Sequence, residues 1–228
     1  MGRKLGHEFH RELALIAAQA NRAPYVVALK NGTMSSAKLD DYLTDTYWAV
    51  LLFPSLAQTL VDRMPSGVDS AELRQSAREE LDHPAMYEPI LQGRGIDPKF
   101  VQASSYVPKS RIYHYFWRWV ECLVGHAPWH QAVAAVMLGI EGGAPVFEAV
   151  VAQSLVQYYG LSPEQARWFS VHSGNVEAAH HAEGVRVLER LPLSSADHAA
   201  ILEIAFLAAR AMVIDCPNEW FAARSANP

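Results

Sequence analysis

The sequence predicts an all-α protein, a single-domain helical bundle of about seven helices over residues 1–228, and three observations carry that prediction. Apolar residues recur at helical spacing from end to end. No Asn-Gly or Asp-Gly turn joins two alternating apolar stretches as a hairpin would. Caps, prolines and glycines punctuate the chain at short intervals, with no internal repeat and no low-complexity linker. At 228 residues, 50% of them hydrophobic, the chain is large enough to enclose a cavity as well as a core.

The elements follow from that punctuation. Ala23-Pro24 ends a first helix, and Lys30-Asn31-Gly32 is a glycine stop for a second. Ser35 or Ser36 opens a third, whose apolar face runs through Leu39, Tyr42, Leu43 and Tyr47, with Pro54 bending or dividing it. Asp69-Ser70-Ala71-Glu72 reads as a capping box ahead of a helix that carries Glu79 to Ile90 and stops near Gly93-Arg94-Gly95. An aromatic helix spans 108–125, and Pro128 is the first-turn proline of a long helix reaching about Tyr159. Ser162-Pro163-Glu164-Gln165 caps a helix running to about Arg190. Ser194 through Asp197 caps the last, which fades near Cys216-Pro217.

Composition excludes several functions. Lys+Arg 19 against Asp+Glu 24 leaves a net charge of −5, with no basic cluster for nucleic acid or an anionic membrane. The longest apolar stretch, Ala132 to Ile140, is half the length a bilayer span requires, so no membrane span is expected. The opening Met1-Gly-Arg-Lys-Leu-Gly-His-Glu lacks an apolar h-region, so no secretory signal is expected. Cys122 and Cys216, far apart and without a Cys-x-x-Cys, exclude a thiolate zinc site and fit a reducing cytoplasm.

Three segments can carry chemistry. Glu141 ends the apolar stretch beginning at Ala132 and is followed by Gly142-Gly143, and an ionised carboxylate there is costly without a cation against it. Either Glu141 pairs with a buried arginine or is kept protonated, or it is a metal ligand, and Glu148, two turns on, is a reserve for the same role. Glu80 and His83 stand three apart on one helix face, the carboxylate-imidazole spacing of di-iron bundles, while Glu79 points about 100° away toward a solvated side. Glu177 and His180 repeat that spacing, and His172 lies two turns before His180. His181 faces away and reads as a bystander, and His7 and His10 read as surface residues. Imidazole and carboxylate without thiolate suit non-haem iron or manganese.

Arg78-Glu-Glu-Leu-Asp-His83-Pro-Ala-Met-Tyr87, Gly139-Ile-Glu141-Gly and Trp168 to His180 resemble the ligand segments of the haem-oxygenase-like di-iron oxidases, of which UndA-type decarboxylases are members. Their superfamily also holds the TenA and PqqC proteins. The resemblance implies a haem-oxygenase-like bundle with metal ligands Glu80, His83, Glu141, His172, Glu177 and His180. It further implies two Fe(II) ions, O2 as co-substrate, and oxidative C–C cleavage, desaturation or N-oxygenation of a small carboxylate-bearing substrate. One departure is local: the family's third helix reads His-x3-acid-x2-His, whereas this chain has His172-x4-Glu177-x2-His180. Either the helix is bulged or unwound at Ser173-Gly174-Asn175, or His172 is not a ligand.

Tyr47, Trp48, Tyr113, Tyr115, Phe116 and Trp117 are candidates for a cavity wall, though most such aromatics are core. Arg118, Arg167 and Lys30 are candidates to hold a substrate carboxylate. The residues name no catalytic acid or base and no organic cofactor, and a homodimer is compatible with them. Two other functions compete: a metal-free PqqC-like oxidase or TenA-like hydrolase, the latter with Cys122 as nucleophile, and a non-enzymatic helical binding protein whose glutamates pair with arginines.

Overall fold

The computed structural model describes residues 5–68, 70–173 and 175–223, with the side chains of all but 175–178 and 223. Among the described residues there are ten helices and no strand, so the expected seven are further subdivided. In chain order they are α1 (Leu5–Ala20), α2 (Pro24–Lys30), α3 (Ser36–Asp62) and α4 (Ala71–Glu79, the 3-10 turn Glu80–Asp82, then His83–Gly93). There follow α5 (Pro98–Gln102), α6 (Arg111–His126) and α7 (Trp129–Tyr158). The chain ends with α8 (Arg167–His172), α9 (Asn175–Glu189) and α10 (Ser195–Arg210, the π segment Ala211–Asp215, then Cys216–Ala223).

Helix α7 is the axis of the bundle. Every residue from Ala132 to Leu138 is buried, and α10 and α9 pack along this stretch. A helix this long and apolar meets the length and composition of a membrane span, but 78% of its most apolar window is covered by the protein's own helices. Close packing depends on glycine: a Cβ at Gly139 would lie 2.5 Å from the Cβ of Ala208 and 2.9 Å from the carbonyl of Ala205.

Capping chemistry explains where helices begin. Ser194 and Asp197 form a reciprocal box, each side chain bonding the other's backbone N–H, at 3.2 and 2.9 Å. Ser70 accepts from the N–H of Leu73 at 3.0 Å and caps α4; Asp69, the first residue of the expected box, lies outside the described residues. Ser162 and Gln165 also form a box, but a turn follows and α8 starts only at Arg167. The expected single helix to Arg190 is two, α8 and α9.

Prolines account for further differences. Pro54 does not divide α3, which continues to Asp62. The last helix does not fade at Cys216-Pro217 but passes through the π segment to Ala223. Pro217 has no N–H to give the carbonyl of Val213, and the Tyr25 hydroxyl donates to that carbonyl instead. A tertiary bond thus replaces the one the proline removes.

Candidate metal centre

The position of Glu80 comes from a proline. Pro84 cannot donate to the carbonyl of Glu80, which accepts the N–H of His83 one residue earlier and winds Glu80–Asp82 as a 3-10 turn. In a 3-10 turn, residues three apart eclipse, whereas on an α-helix they are offset by about 60°. His83 therefore stands directly over Glu80, with its Nδ1 2.5 Å from Glu80 Oε2.

Glu141 follows the π-wound segment Ala134–Ile140, not the regular helix expected. It is 5% exposed, and the imidazole of His180 lies against it, with Nδ1 3.4 Å from Glu141 Oε2. His172 closes α8, and the chain re-enters a helix at Asn175. The extra residue of the third ligand segment is thus taken up between two helices, and His172 stays with the cluster; Gly174 and the side chain of Glu177 lie outside the described residues.

The buried residues form two donor sets that share one carboxylate. On one side, Glu80 Oε2 meets His83 Nδ1, which is 3.4 Å from His172 Nε2. On the other, Glu80 Oε1 lies 3.9 Å from His180 Nδ1. Donor atoms of Glu80, Glu141 and His180 all lie within 4.8 Å of one another. None of the five side chains belongs to a residue more than 8% exposed.

The His172 tautomer suits a cation. The His172 Nδ1 lies 2.6 Å from the carbonyl of Trp168, which only accepts, so the proton is on Nδ1 and Nε2 keeps its lone pair. Burial and the neighbouring His83 pull the His172 pKa down to about 4. Burial also opposes charge on His180, but Glu141, Glu79 and Glu80 outweigh it and raise the pKa to about 9. Both ring nitrogens of His180 face carboxylates, Nδ1 toward Glu141 and Nε2 at 3.1 Å from Glu79 Oε2. Burial raises Glu80 above the ordinary carboxylate range. Glu148, 2% exposed, is pushed well above it by burial and by the charges of Glu141 and Glu80, and its Oε2 has no hydrogen-bond partner among the described residues.

A cavity of about 90 Å³ abuts this cluster, several times the space one water needs. Glu80, His83, Glu141, Glu148 and His172 line it at the polar end, and its walls are mostly aromatic and aliphatic. Of the aromatics expected there, Tyr113 and Trp117 line it. Tyr47 and Phe116 are core, Tyr115 is exposed, and Trp48 packs edge-on against His114. Sequence reasoning missed Tyr42, Phe53, Phe147, Trp168 and Trp220. Their helical spacing is that of any core residue.

Other expected residues fall elsewhere. No Lys or Arg lines the cavity among the described residues. Arg118 pairs with Glu121 at 2.7 Å, Lys30 donates to Asn21 at 2.8 Å, and Arg167 is exposed. Cys122 is exposed, whereas Cys216 lines the cavity with its thiol pushed up to about 12 by burial and by Asp215. His181 stands apart from the cluster, buried against Phe9 and His10 at ring separations of 5.4 and 5.1 Å. Glu79 is the residue overlooked, because its role depends on where α9 places His180.

The donor set fits a metal ion. Buried glutamates meet imidazoles rather than guanidinium groups, and oxygen and nitrogen without sulfur suit iron or manganese. Among curated proteins, none matches the chain. Solved structures do match along nearly its whole length. A TenA homologue from Pseudomonas syringae pv. tomato superposes with TM-score 0.78 at 16% identity, covering 96% of this chain and 93% of that one. A domain of unknown function with a haem-oxygenase-like fold from Shewanella denitrificans gives 0.75 at 17%, covering 97% and 95%. A TenA homologue from P. horikoshii gives 0.72 at 12%, covering 96% and 100%. These likenesses establish a haem-oxygenase-like fold. Residues 40–213, which hold all five clustered side chains, match the model of a family described as iron-containing redox enzymes, and the chain belongs to that family.

Proposed function

We propose that the protein is a non-haem iron oxidase or oxygenase that uses dioxygen, with two ferrous ions held by Glu80, His83, Glu141, His172 and His180. Glu177 is the further ligand its sequence suggests. The observation that carries this reading is that Glu80 faces two sets of groups at once, His83 on one oxygen with His172 against that imidazole, and His180 beside Glu141 toward the other oxygen. One carboxylate between two sets of imidazole and carboxylate side chains is the arrangement that di-iron bundles build from facing helices. Ferrous ions at these donors would supply the electrons that activate dioxygen.

The chain's own residues then hold and shield. The carbonyl of Trp168 fixes the His172 tautomer so that Nε2 faces inward, and the Trp168 ring, stacked on His172 at 4.0 Å, fixes its plane. Aromatic walls at Phe53, Tyr113, Trp117 and Trp220 keep water from the polar end. The substrate is a small molecule with an apolar body, and oxidative C–C cleavage, desaturation or N-oxygenation are the reactions that suit it. A carboxylate on it is not met by Arg118, Arg167 or Lys30, which lie outside the cavity lining. The hydrolase reading with a cysteine nucleophile loses support, since Cys122 is exposed and Cys216 is held as a neutral thiol. Anaerobic ferrous reconstitution followed by iron counting and oxygen-uptake measurement tests the proposal. Absence of bound iron defeats it.

A further inference from the structure

The cluster lies between two openings of opposite character. Glu80, His83, Glu141 and His172 face the aromatic cavity. His180 instead lines a groove of about 490 Å³ between α4 and α9, together with Glu72, Gln75, Ser76, Glu79 and Glu183. Two arginines stand on this groove, and both are engaged: Arg186 lies 3.4 Å from Glu72, and Arg78 donates to Gln75 at 2.7 Å. Glu183 is buried in it, accepting from Ser70 and Ser76 at 2.7 and 3.1 Å.

We infer that the metal ion reaches the centre through this α4–α9 groove rather than through the aromatic cavity, with Glu79 as the carboxylate that receives it at the inner end. The inference rests on the iron reading above. A hydrated divalent cation sheds water only as other oxygens replace it, and an apolar passage leaves its charge uncompensated. On the cavity side, Asp45 is already committed to the Tyr106 hydroxyl at 2.7 Å and to the backbone N–H groups of Lys109 and Ser110 at 2.9 Å. Glu148, the other carboxylate there, is close enough to Glu80 and Glu141 to feel their charge, and so belongs to the end of such a path. The groove offers side-chain oxygens along its length. At its floor the half-exposed Glu79 lies 3.1 Å from His180 Nε2, and His180 Nδ1 lies 3.4 Å from Glu141. A single imidazole separates a solvent-reached carboxylate from a buried one. Rotation of that ring opens the passage, and the aromatic cavity stays free for substrate.

Stopped-flow uptake of ferrous ion by the metal-free full-length protein, under anaerobic conditions and followed by tryptophan fluorescence, tests the route. Two changes probe it independently: Glu79→Gln, which removes one charge, and Ala179→Arg, which adds positive charge at an exposed position on the groove. Each is expected to slow association about tenfold or more, the scale of electrostatic control over ion capture, and Ala179→Arg leaves the final iron count unchanged. Release to a chelator slows in parallel in Ala179→Arg, since a blocked passage hinders both directions. Association at the unaltered rate in both variants overturns the route. Slowing in Glu79→Gln alone also overturns it, because Glu79 then acts only by holding His180. If Ala179→Arg loses its helical circular dichroism, the groove is probed by Glu72→Gln in its place, with the same slowing expected and an unaltered rate counting against the route. Failure of the unaltered protein to take up any ferrous ion defeats the iron reading itself.

Discussion

On the cavity side of Glu80, His172 is clamped by a backbone carbonyl and by the face of Trp168. On the groove side, His180 is held by Glu79, whose side chain is 44% exposed. The first clamp is built from the fold and cannot relax without moving α8. The second is a flexible side chain at the surface. Two donor sets that share a carboxylate are therefore expected to differ in firmness: the cavity-side ion is retained, and the groove-side ion exchanges more readily.

The largest effect expected is loss of both ions. Glu80→Ala removes the shared carboxylate, so iron per chain after ferrous reconstitution falls from about two to near zero, with helical circular dichroism retained. Retention of a full complement would mean that Glu80 does not bridge the sets. Single-sided changes come next. His83→Ala and Glu141→Ala each leave about one ion, and by the difference in clamping the ion left by Glu141→Ala is the tighter. Equal affinities for the two remaining ions would erase the comparison.

A smaller effect belongs to Glu79. On a regular helix Glu79 faces away from Glu80 and serves as a silent control, but the bond to His180 corrects that expectation. Glu79→Ala should weaken the groove-side ion by about 10–100-fold, as loss of an outer carboxylate partner does, and leave the cavity-side ion unchanged. Competitive chelator titration resolves the two. The smallest expected effect separates the openings themselves. At pH 8 an ordinary thiol is partly thiolate, whereas a pKa raised to about 12 keeps Cys216 neutral. Iodoacetamide should therefore label the exposed Cys122 well before Cys216, as read by mass spectrometry. Equal labelling would show the cavity wall to be open.

Much of this was legible in residue types. Glu80, His83, Glu141, His172 and His180 stand out as carboxylates and imidazoles among apolar neighbours, and all five converge. The helix ends at Ser194 and Gly32 were legible because cap chemistry is local. The winding of α7 was not, since every residue of Ala134–Ile140 is apolar and a π segment has no face to betray it. Continuation through Pro217 was equally hidden, because the compensating donor, Tyr25, lies 188 residues away in sequence. Glu79 and the aromatic lining fail for the same reason. Their neighbours are set by how helices meet, and periodicity along one helix carries no record of that.

The proline after His83 bears on how such sites can be built or found. A Glu-x-x-His pair set into an uninterrupted α-helix leaves the two side chains fanned apart, and a designer who copies only those two residues would inherit the offset. Adding proline directly after the histidine strips one backbone donor and tightens the turn beneath the pair, so the alignment comes from an omission in the main chain. Glu-x-x-His-Pro is thus the more informative five-residue pattern for searching uncharacterised helical proteins. A useful trial is its transplantation into an unrelated bundle with and without the proline, comparing ferrous affinity.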